Sequence, residues 1–104
     1  MKRSKVRKAL LNKLDCAERE GTEHTKYRFI ESDKCIAVTA LPRDKEIRDK
    51  LFGRIARQLF ISFPQLRGIV VCTYERDDYI QMLKKSQLLL ERAPGNVRDF
   101  VASL

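Results

Sequence analysis

Apolar residues recur with a helical period along the first segment of the chain. They follow one another at steps of four, four and three positions, in the order Val6, Leu10, Leu14 and Ala17. Residues with this spacing fall on one side of an α-helix. The pattern therefore predicts an amphipathic helix over residues 4–20, which ends at Gly21 in a left-handed cap.

The period changes to two in the next segment, as is typical of a β-strand. Basic and aromatic residues alternate there, in the order Lys26, Tyr27, Arg28 and Phe29. After a short polar turn comes a second apolar run, in which Ile36 and Val38 fall on the same face. The two runs, residues 25–31 and 35–41, predict an antiparallel hairpin with one apolar face and one polar face.

Helical periodicity returns after Pro42, with apolar residues at steps of four: Ile47, Leu51, Ile55 and Leu59. Asp44 is predicted to cap this second helix at its N-terminus. The apolar run in residues 67–74 is typical of a strand that is buried on both faces. Residues 77–92 predict a third helix, and residues 96–104 predict a closing turn or short helix.

This order of elements favours an α+β fold in a single domain, residues 1–104. Each helix has one apolar stripe and the hairpin has one apolar face. The simplest arrangement therefore packs the helices on one face of a small antiparallel sheet. The other face would remain in contact with solvent, and it would carry His24, Lys26 and Arg28, which follow one another at a period of two.

The composition favours an anionic partner, because 22 basic residues outnumber 14 acidic ones and give a formal net charge of +8. Nucleic acid is the first candidate. No segment approaches the ~20 consecutive apolar residues that span a membrane, so no membrane association is expected. The three cysteines are widely spaced, which predicts neither a disulfide framework nor a metal site and suits a reducing cytoplasm. No cofactor is predicted.

The basic residues are clustered on the predicted elements. On the second helix, Lys50, Arg54 and Arg57 lie within about 60° of one another at 100° per residue, which makes a basic stripe. A second cluster surrounds the apolar stripe of the first helix, and a third lies on the first strand. The residues predicted to contact nucleic acid are Lys5, Lys8, Lys26, Arg28, Lys50, Arg54 and Arg57.

His24 is the only histidine in the chain and the candidate catalytic residue. An imidazole can take up and return a proton near pH 7, while lysine and arginine hold phosphate and stabilise charge that develops on it. Such a group could cleave RNA through its own 2′-hydroxyl, with neither a metal nor a covalent nucleophile. An exposed histidine beside two cations is also common on basic proteins. The residues thus leave open a non-catalytic RNA- or DNA-binding module, and a basic interaction protein that binds an acidic protein partner.

Several short motifs, taken in order, resemble the HicA family of toxin ribonucleases. The stretch "VRKALLNKL" is similar to the first helix of that family, and "FGRIARQLFISFPQL" is similar to its second helix. Between them, Gly21, Thr22 and His24 resemble the Gly-Ser-His motif of the family, with Tyr27 as the aromatic residue that follows. Arg43 and Asp44 follow Pro42 in the next turn, where the family has a Pro-x-His motif, so the histidine of that motif is absent here. Together the motifs cover residues 6–66.

The resemblance implies a fold like that of the double-stranded-RNA-binding domain, in which a helix precedes an antiparallel sheet and a second helix. Residues 1–67 would form this core, and residues 68–104 a C-terminal extension with a strand and a helix. It also implies a metal-independent endoribonuclease with His24 as general acid/base. The implied partners are RNA, in particular mRNA, and an antitoxin protein.

Overall fold

The fold is known from a computed structural model, which describes residues 1–31, 33–72, 74–85 and 95–102. An N-terminal helix precedes a three-stranded antiparallel sheet, and further helices pack against that sheet. The α+β class predicted from the sequence is therefore confirmed. In chain order the elements are α1 (Arg3–Lys8), a π-helical turn (Ala9–Lys13), β1 (Ala17–Glu20), β2 (His24–Glu31), β3 (Lys34–Pro42), α2 (Asp49–Gln58), α3 (Phe63–Val71), α4 (Arg76–Lys85) and α5 (Gly95–Ala102). No helix in the described ranges is long and apolar enough to cross a membrane.

The first helix is shorter than predicted. Its apolar stripe is buried as far as Leu14, but the chain then turns at Asp15, whose φ of 53° is left-handed. Residues 17–20 pair with β2 instead of continuing the helix. The prediction of a helix to residue 20 is thus wrong, because sheet hydrogen bonds outweigh the helix propensity of an Ala-Glu-Arg-Glu segment. The predicted left-handed cap at Gly21 is wrong as well, since its φ is not positive.

The sheet has the order β1-β2-β3 and contains one bulge. Phe29 pairs with Ala37 and Ile30 pairs with Cys35, so Ile36 is an extra residue on β3. One extra residue exchanges the two faces of a strand from that point on. Ala37 is accordingly buried and Val38 is 44% exposed, and the predicted common face of Ile36 and Val38 is wrong.

The second helix begins later than predicted. Its first residue is Asp49, and Asp44 lies in the irregular segment before it rather than at the cap. This segment pairs with the N-terminus of the chain: the Arg3 amide donates to the Lys45 carbonyl at 2.9 Å, and the Ile47 amide donates to the Met1 carbonyl at 2.8 Å. Backbone groups that are used in this pairing are not available to start a helix.

The predicted strand 67–74 is wrong, since most of it belongs to α3. Ser62 and Gln65 form a capping box, in which each side chain bonds the backbone amide of the other residue, at 3.3 and 2.8 Å. This reciprocal cap sets the start of a helix. The predicted third helix, 77–92, is confirmed as far as Lys85, and its remainder lies outside the described residues. In the closing segment 96–104, the described residues are helical.

The core lies between the helices and one face of the sheet. Tyr27 and Phe29 are fully buried, and the Phe29 ring meets the ring of Tyr79 edge-on, with centroids 4.8 Å apart. At the β3 side, the Thr39 hydroxyl and the Gln58 amide oxygen of α2 are hydrogen-bonded at 2.7 Å. The helices thus cover the face that carries the odd-numbered residues of β2 and leave the other face to solvent.

Arg76 ties α4 to the sheet and to the end of the first helix. Its guanidinium donates to the carbonyls of Leu14 and Ile30, each at 2.7 Å, and forms an ion pair with Glu31. It also lies over the Phe29 ring, 4.4 Å from the centroid. The last β1–β2 pair is at Arg28, so the Ile30 carbonyl lies just beyond the end of β1. Arg76 donates a hydrogen bond to this carbonyl.

Candidate nucleic-acid interface

Three of the predicted site residues share the uncovered face of the sheet. Along β2 the side chains of His24 and Lys26 are exposed and that of Arg28 is partly exposed, whereas the residues between them are buried. The period of two thus places these three residues together, as the sequence predicts. We call this surface, formed by the outward residues of all three strands, the open face.

A further cation, Arg19, lies on the open face, and the sequence analysis did not predict it there. It stands on β1 directly opposite Lys26, because the β1–β2 register pairs the two residues. Residues 17–20 were predicted to be helical, so only the register could have placed Arg19 here. Like charges directly opposite each other destabilise a sheet. A bound anion would offset that repulsion.

No acidic residue offsets this charge within the strands. The outward positions of the three strands are Ala17, Arg19, His24, Lys26, Arg28, Ile30, Cys35, Val38, Ala40 and Pro42. Among the described residues, Arg19, Lys26 and Arg28 form no ion pair. The set also contains no aromatic ring on which a base could stack. Its chemistry therefore suits phosphate groups rather than bases.

His24 is held at the start of β2 by a tight turn. The Gly21 amide donates to the His24 carbonyl at 2.9 Å, and a Cβ at position 21 would lie 2.7 Å from that oxygen. Only glycine fits such a close approach. Arg43 donates to the Gly21 carbonyl at 3.1 Å, which brings its guanidinium to the turn before His24. The imidazole is exposed and forms no hydrogen bond with any described residue.

The other predicted basic residues belong to the helical layer. Lys5 and Lys8 are exposed on α1, and the basic stripe formed by Lys50, Arg54 and Arg57 is exposed on α2. Both helices pack on the covered face of the sheet. The structure therefore does not bring these residues to the open face, and the positive charge is divided between two layers.

A groove of about 710 Å³ runs between α1, the covered side of β1 and the segment before α2. In it, the Arg7 guanidinium donates to both Glu18 oxygens, at 2.8 and 3.2 Å, and the Tyr27 hydroxyl donates to Glu18 at 2.7 Å. The hydrogen bond from Arg7, followed by that from Tyr27, lowers the pKa of Glu18. Burial, helped by the bond to Glu18, raises the pKa of Tyr27 to about 12. This trio fixes the wall of the groove.

The three cysteines lie in different environments. Cys16 is buried, Cys35 is partly buried and Cys72 is exposed. Burial raises the pKa of the Cys16 thiol to about 12, which leaves it protonated and unreactive near neutral pH. Within the described part of the chain, no group of three or more His, Cys, Asp or Glu side chains is placed to hold a metal ion.

Comparison of the chain with models of protein families, with curated proteins and with solved structures finds no match. The likeness to the HicA family accordingly remains a hypothesis that rests on the short motifs between residues 6 and 66.

Proposed function

We propose that this protein is a metal-independent endoribonuclease that binds RNA phosphates on its open face and cleaves the strand with His24. The observation that carries the proposal is the placement of one exposed imidazole on the same sheet face as three cations that form no ion pair with a described residue, where the strands present no acidic side chain. Such a face would hold a phosphodiester next to a group that can move a proton. The resemblance to the HicA toxins adds mRNA as the expected substrate.

In the proposed reaction, the neutral imidazole of His24 removes the proton of a ribose 2′-hydroxyl. The 2′-oxygen attacks the adjacent phosphorus, and the bond between that phosphorus and the 5′-oxygen of the next nucleotide breaks. The proton held by His24 returns through solvent to the leaving 5′-oxygen. Lys26, two residues from His24 on the same strand face, and Arg19, which pairs with Lys26, would stabilise the negative charge that develops on the phosphate oxygens. Arg28, about 14 Å from His24 along β2, would hold a neighbouring phosphate. The products are a 2′,3′-cyclic phosphate and a 5′-hydroxyl.

The proposal is tested with the purified protein and an RNA oligonucleotide in the presence of EDTA. We expect cleavage that leaves 2′,3′-cyclic phosphate and 5′-hydroxyl ends, which mass spectrometry identifies. The same sequence with 2′-deoxyribose at every position should remain intact, because it lacks the nucleophile. Cleavage of that DNA, or RNA cleavage that stops in EDTA, would contradict this chemistry.

A second candidate is a non-catalytic RNA-binding module. It is favoured by one observation: no described residue donates or accepts a hydrogen bond at the His24 imidazole, so none of them fixes its tautomer or orientation. In many enzymes a neighbouring group performs that task for a catalytic histidine. The second candidate predicts RNA binding on the same face with no cleavage in any buffer.

Replacing both Lys26 and Arg28 with alanine should weaken RNA binding and make it less dependent on salt. Each lost phosphate contact on a single strand lowers the slope of log affinity against log salt concentration by about 0.7, so the expected change is about 1.4. Fluorescence anisotropy with 2′-O-methylated RNA, which cannot be cleaved by its own 2′-oxygen, measures both quantities. Thermal unfolding should change little, because both side chains are on the solvent side of β2.

The matched control is the double replacement of Arg54 and Arg57 with alanine, which makes the same change of charge on the helical layer. We expect it to change RNA affinity and its salt dependence less than the replacement of Lys26 and Arg28 does. Equal effects of the two pairs would mean that binding follows net charge and not the open face. Absence of RNA binding in the unmodified protein would leave the third alternative, an acidic protein partner that covers the open face. An antitoxin with an acidic surface would be such a partner.

A further inference from the structure

The groove beside α1 carries more positive than negative charge. Of the described residues, six with basic and three with acidic side chains line it. Two of the acids are already engaged, Glu18 by Arg7 and Tyr27, and Glu46 by the N-terminal amino group at 3.4 Å. Glu20 forms no ion pair with a described residue. Most of the basic groups that line the groove are thus not neutralised by an acid.

Two of these arginines are held by neutral acceptors. Arg3 donates from Nε to the Pro42 carbonyl at 2.6 Å and from its guanidinium to the Thr25 hydroxyl at 3.3 Å. Arg43 is held by the Gly21 carbonyl at 3.1 Å. A carbonyl or a hydroxyl fixes the direction of a guanidinium without cancelling its charge. Such pre-oriented guanidinium groups are suited to phosphate.

The groove and the open face meet at one end of the sheet. His24 pairs with Pro42, and Arg43, the next residue, lines the groove. Through its bond to Gly21, Arg43 also reaches the turn that leads into β2. A ligand that leaves the open face at His24 therefore meets Arg43 first and the groove directly afterwards.

We propose that this groove is a second phosphate-binding site, which takes up the RNA strand where it leaves the open face past His24. This inference rests on the proposed function, since it extends the path of the same RNA. It also assigns the substrate class. A strand that contacts both sites must turn around the end of the sheet, from one layer of the protein to the other, and only a single strand is flexible enough to do so.

A duplex cannot follow this path. Nucleic-acid duplexes are stiff: double-stranded DNA has a persistence length of about 50 nm, which is far longer than the protein, whose dimensions are 37 × 26 × 23 Å. A duplex could contact either layer but not both. Substitutions in the groove should therefore weaken the binding of single-stranded RNA and leave the binding of duplex RNA unchanged.

The test is the double replacement of Lys8 and Lys45 with alanine, since both side chains line the groove and are exposed. Affinity is measured by anisotropy at several salt concentrations with 2′-O-methylated single strands of 3 and about 16 nucleotides and with a duplex of the longer sequence. For the long single strand we expect a slope of log affinity against log salt that is less steep by about 1.4. The short strand and the duplex should bind as they do to the unmodified protein.

The matched control replaces Lys84 and Lys85 with alanine, which removes the same charge from exposed positions on α4, outside the groove. An equal loss of slope in this control, or an unchanged slope in the groove variant, overturns the groove site while RNA binding by the open face stands. A groove effect that is as large for the duplex overturns the single-strand path. Absence of RNA binding in the unmodified protein overturns the proposed function and this inference together. A further supporting result would be tighter binding of the long strand by Glu20→Gln, which removes the unpaired acid from the groove.

Discussion

Replacing His24 with alanine should slow metal-independent RNA cleavage by about 10²–10⁴-fold, the usual cost of removing a positioned acid/base. His24 is the only imidazole in the chain, so no other histidine can replace it. Its side chain is exposed and forms no hydrogen bond with any described residue, so the fold should be nearly unaffected. The rate is measured with a labelled RNA in EDTA, under single-turnover conditions.

Two controls make that result specific. The variant should bind 2′-O-methylated RNA with nearly the affinity of the unmodified protein, because Arg19, Lys26 and Arg28 remain in place. Its thermal unfolding midpoint should also be unchanged. Cleavage at the same rate by both proteins, purified in parallel, would mean that His24 is an ordinary strand residue and that any activity comes from elsewhere.

Replacing Arg76 with alanine should lower the free energy of unfolding by about 2–4 kcal/mol. Hydrogen bonds from a charged donor contribute about 1.5–3 kcal/mol each, and Arg76 supplies two of them to the carbonyls of Leu14 and Ile30. The variant also leaves Glu31 without its ion pair and removes the contact with the Phe29 ring. The expected value lies below the sum of these contributions, because the Arg76 side chain is 27% exposed. Urea unfolding followed by circular dichroism measures it.

Two further variants separate the contributions of Arg76. Glu31→Gln removes the ion pair but keeps the hydrogen bonds from Arg76 to both carbonyls. It should therefore lower the free energy of unfolding by less than Arg76→Ala does. Arg54→Ala removes an arginine that is exposed on α2, and it should stay within about 0.5 kcal/mol of the unmodified protein. If Arg76→Ala lowers the free energy of unfolding no more than Arg54→Ala does, the packing of α4 does not depend on the contacts of Arg76.

The sequence predicts those parts of the fold in which one face is buried and the period is regular. Residues 24–31 alternate without interruption, so the sides of His24 and Phe29 were both predicted correctly. In β3 the bulge at Ile36 breaks the alternation, and nothing in the apolar run 35–41 marks its position. Residues 67–74 were wrongly predicted to form a strand, because their β-branched side chains favour that structure. The capping signal at Ser62 and Gln65, which favours a helix, was also present in the sequence.

In the candidate site, too, only the residues that are grouped by a local pattern were predictable from the sequence. Spacing along β2 is enough to group His24, Lys26 and Arg28. Arg19 joins them only through the register of β1, a strand of four residues that has no apolar pattern of its own. Arg43 reaches the turn before His24 only because the hairpin places Pro42 opposite His24. Contacts between distant segments decide both positions, and a local pattern does not contain them.

The order of the strands has a consequence for the kinetics of folding. All three strands are consecutive in the chain and are joined by very short turns, so the loops that close to form the sheet are small and cost little chain entropy. The contacts of Arg76, by contrast, join residues that are 45 to 62 positions apart. Contacts with such separations are slow to form. The open face should thus be assembled early, before α4 docks and closes the opposite side of the molecule.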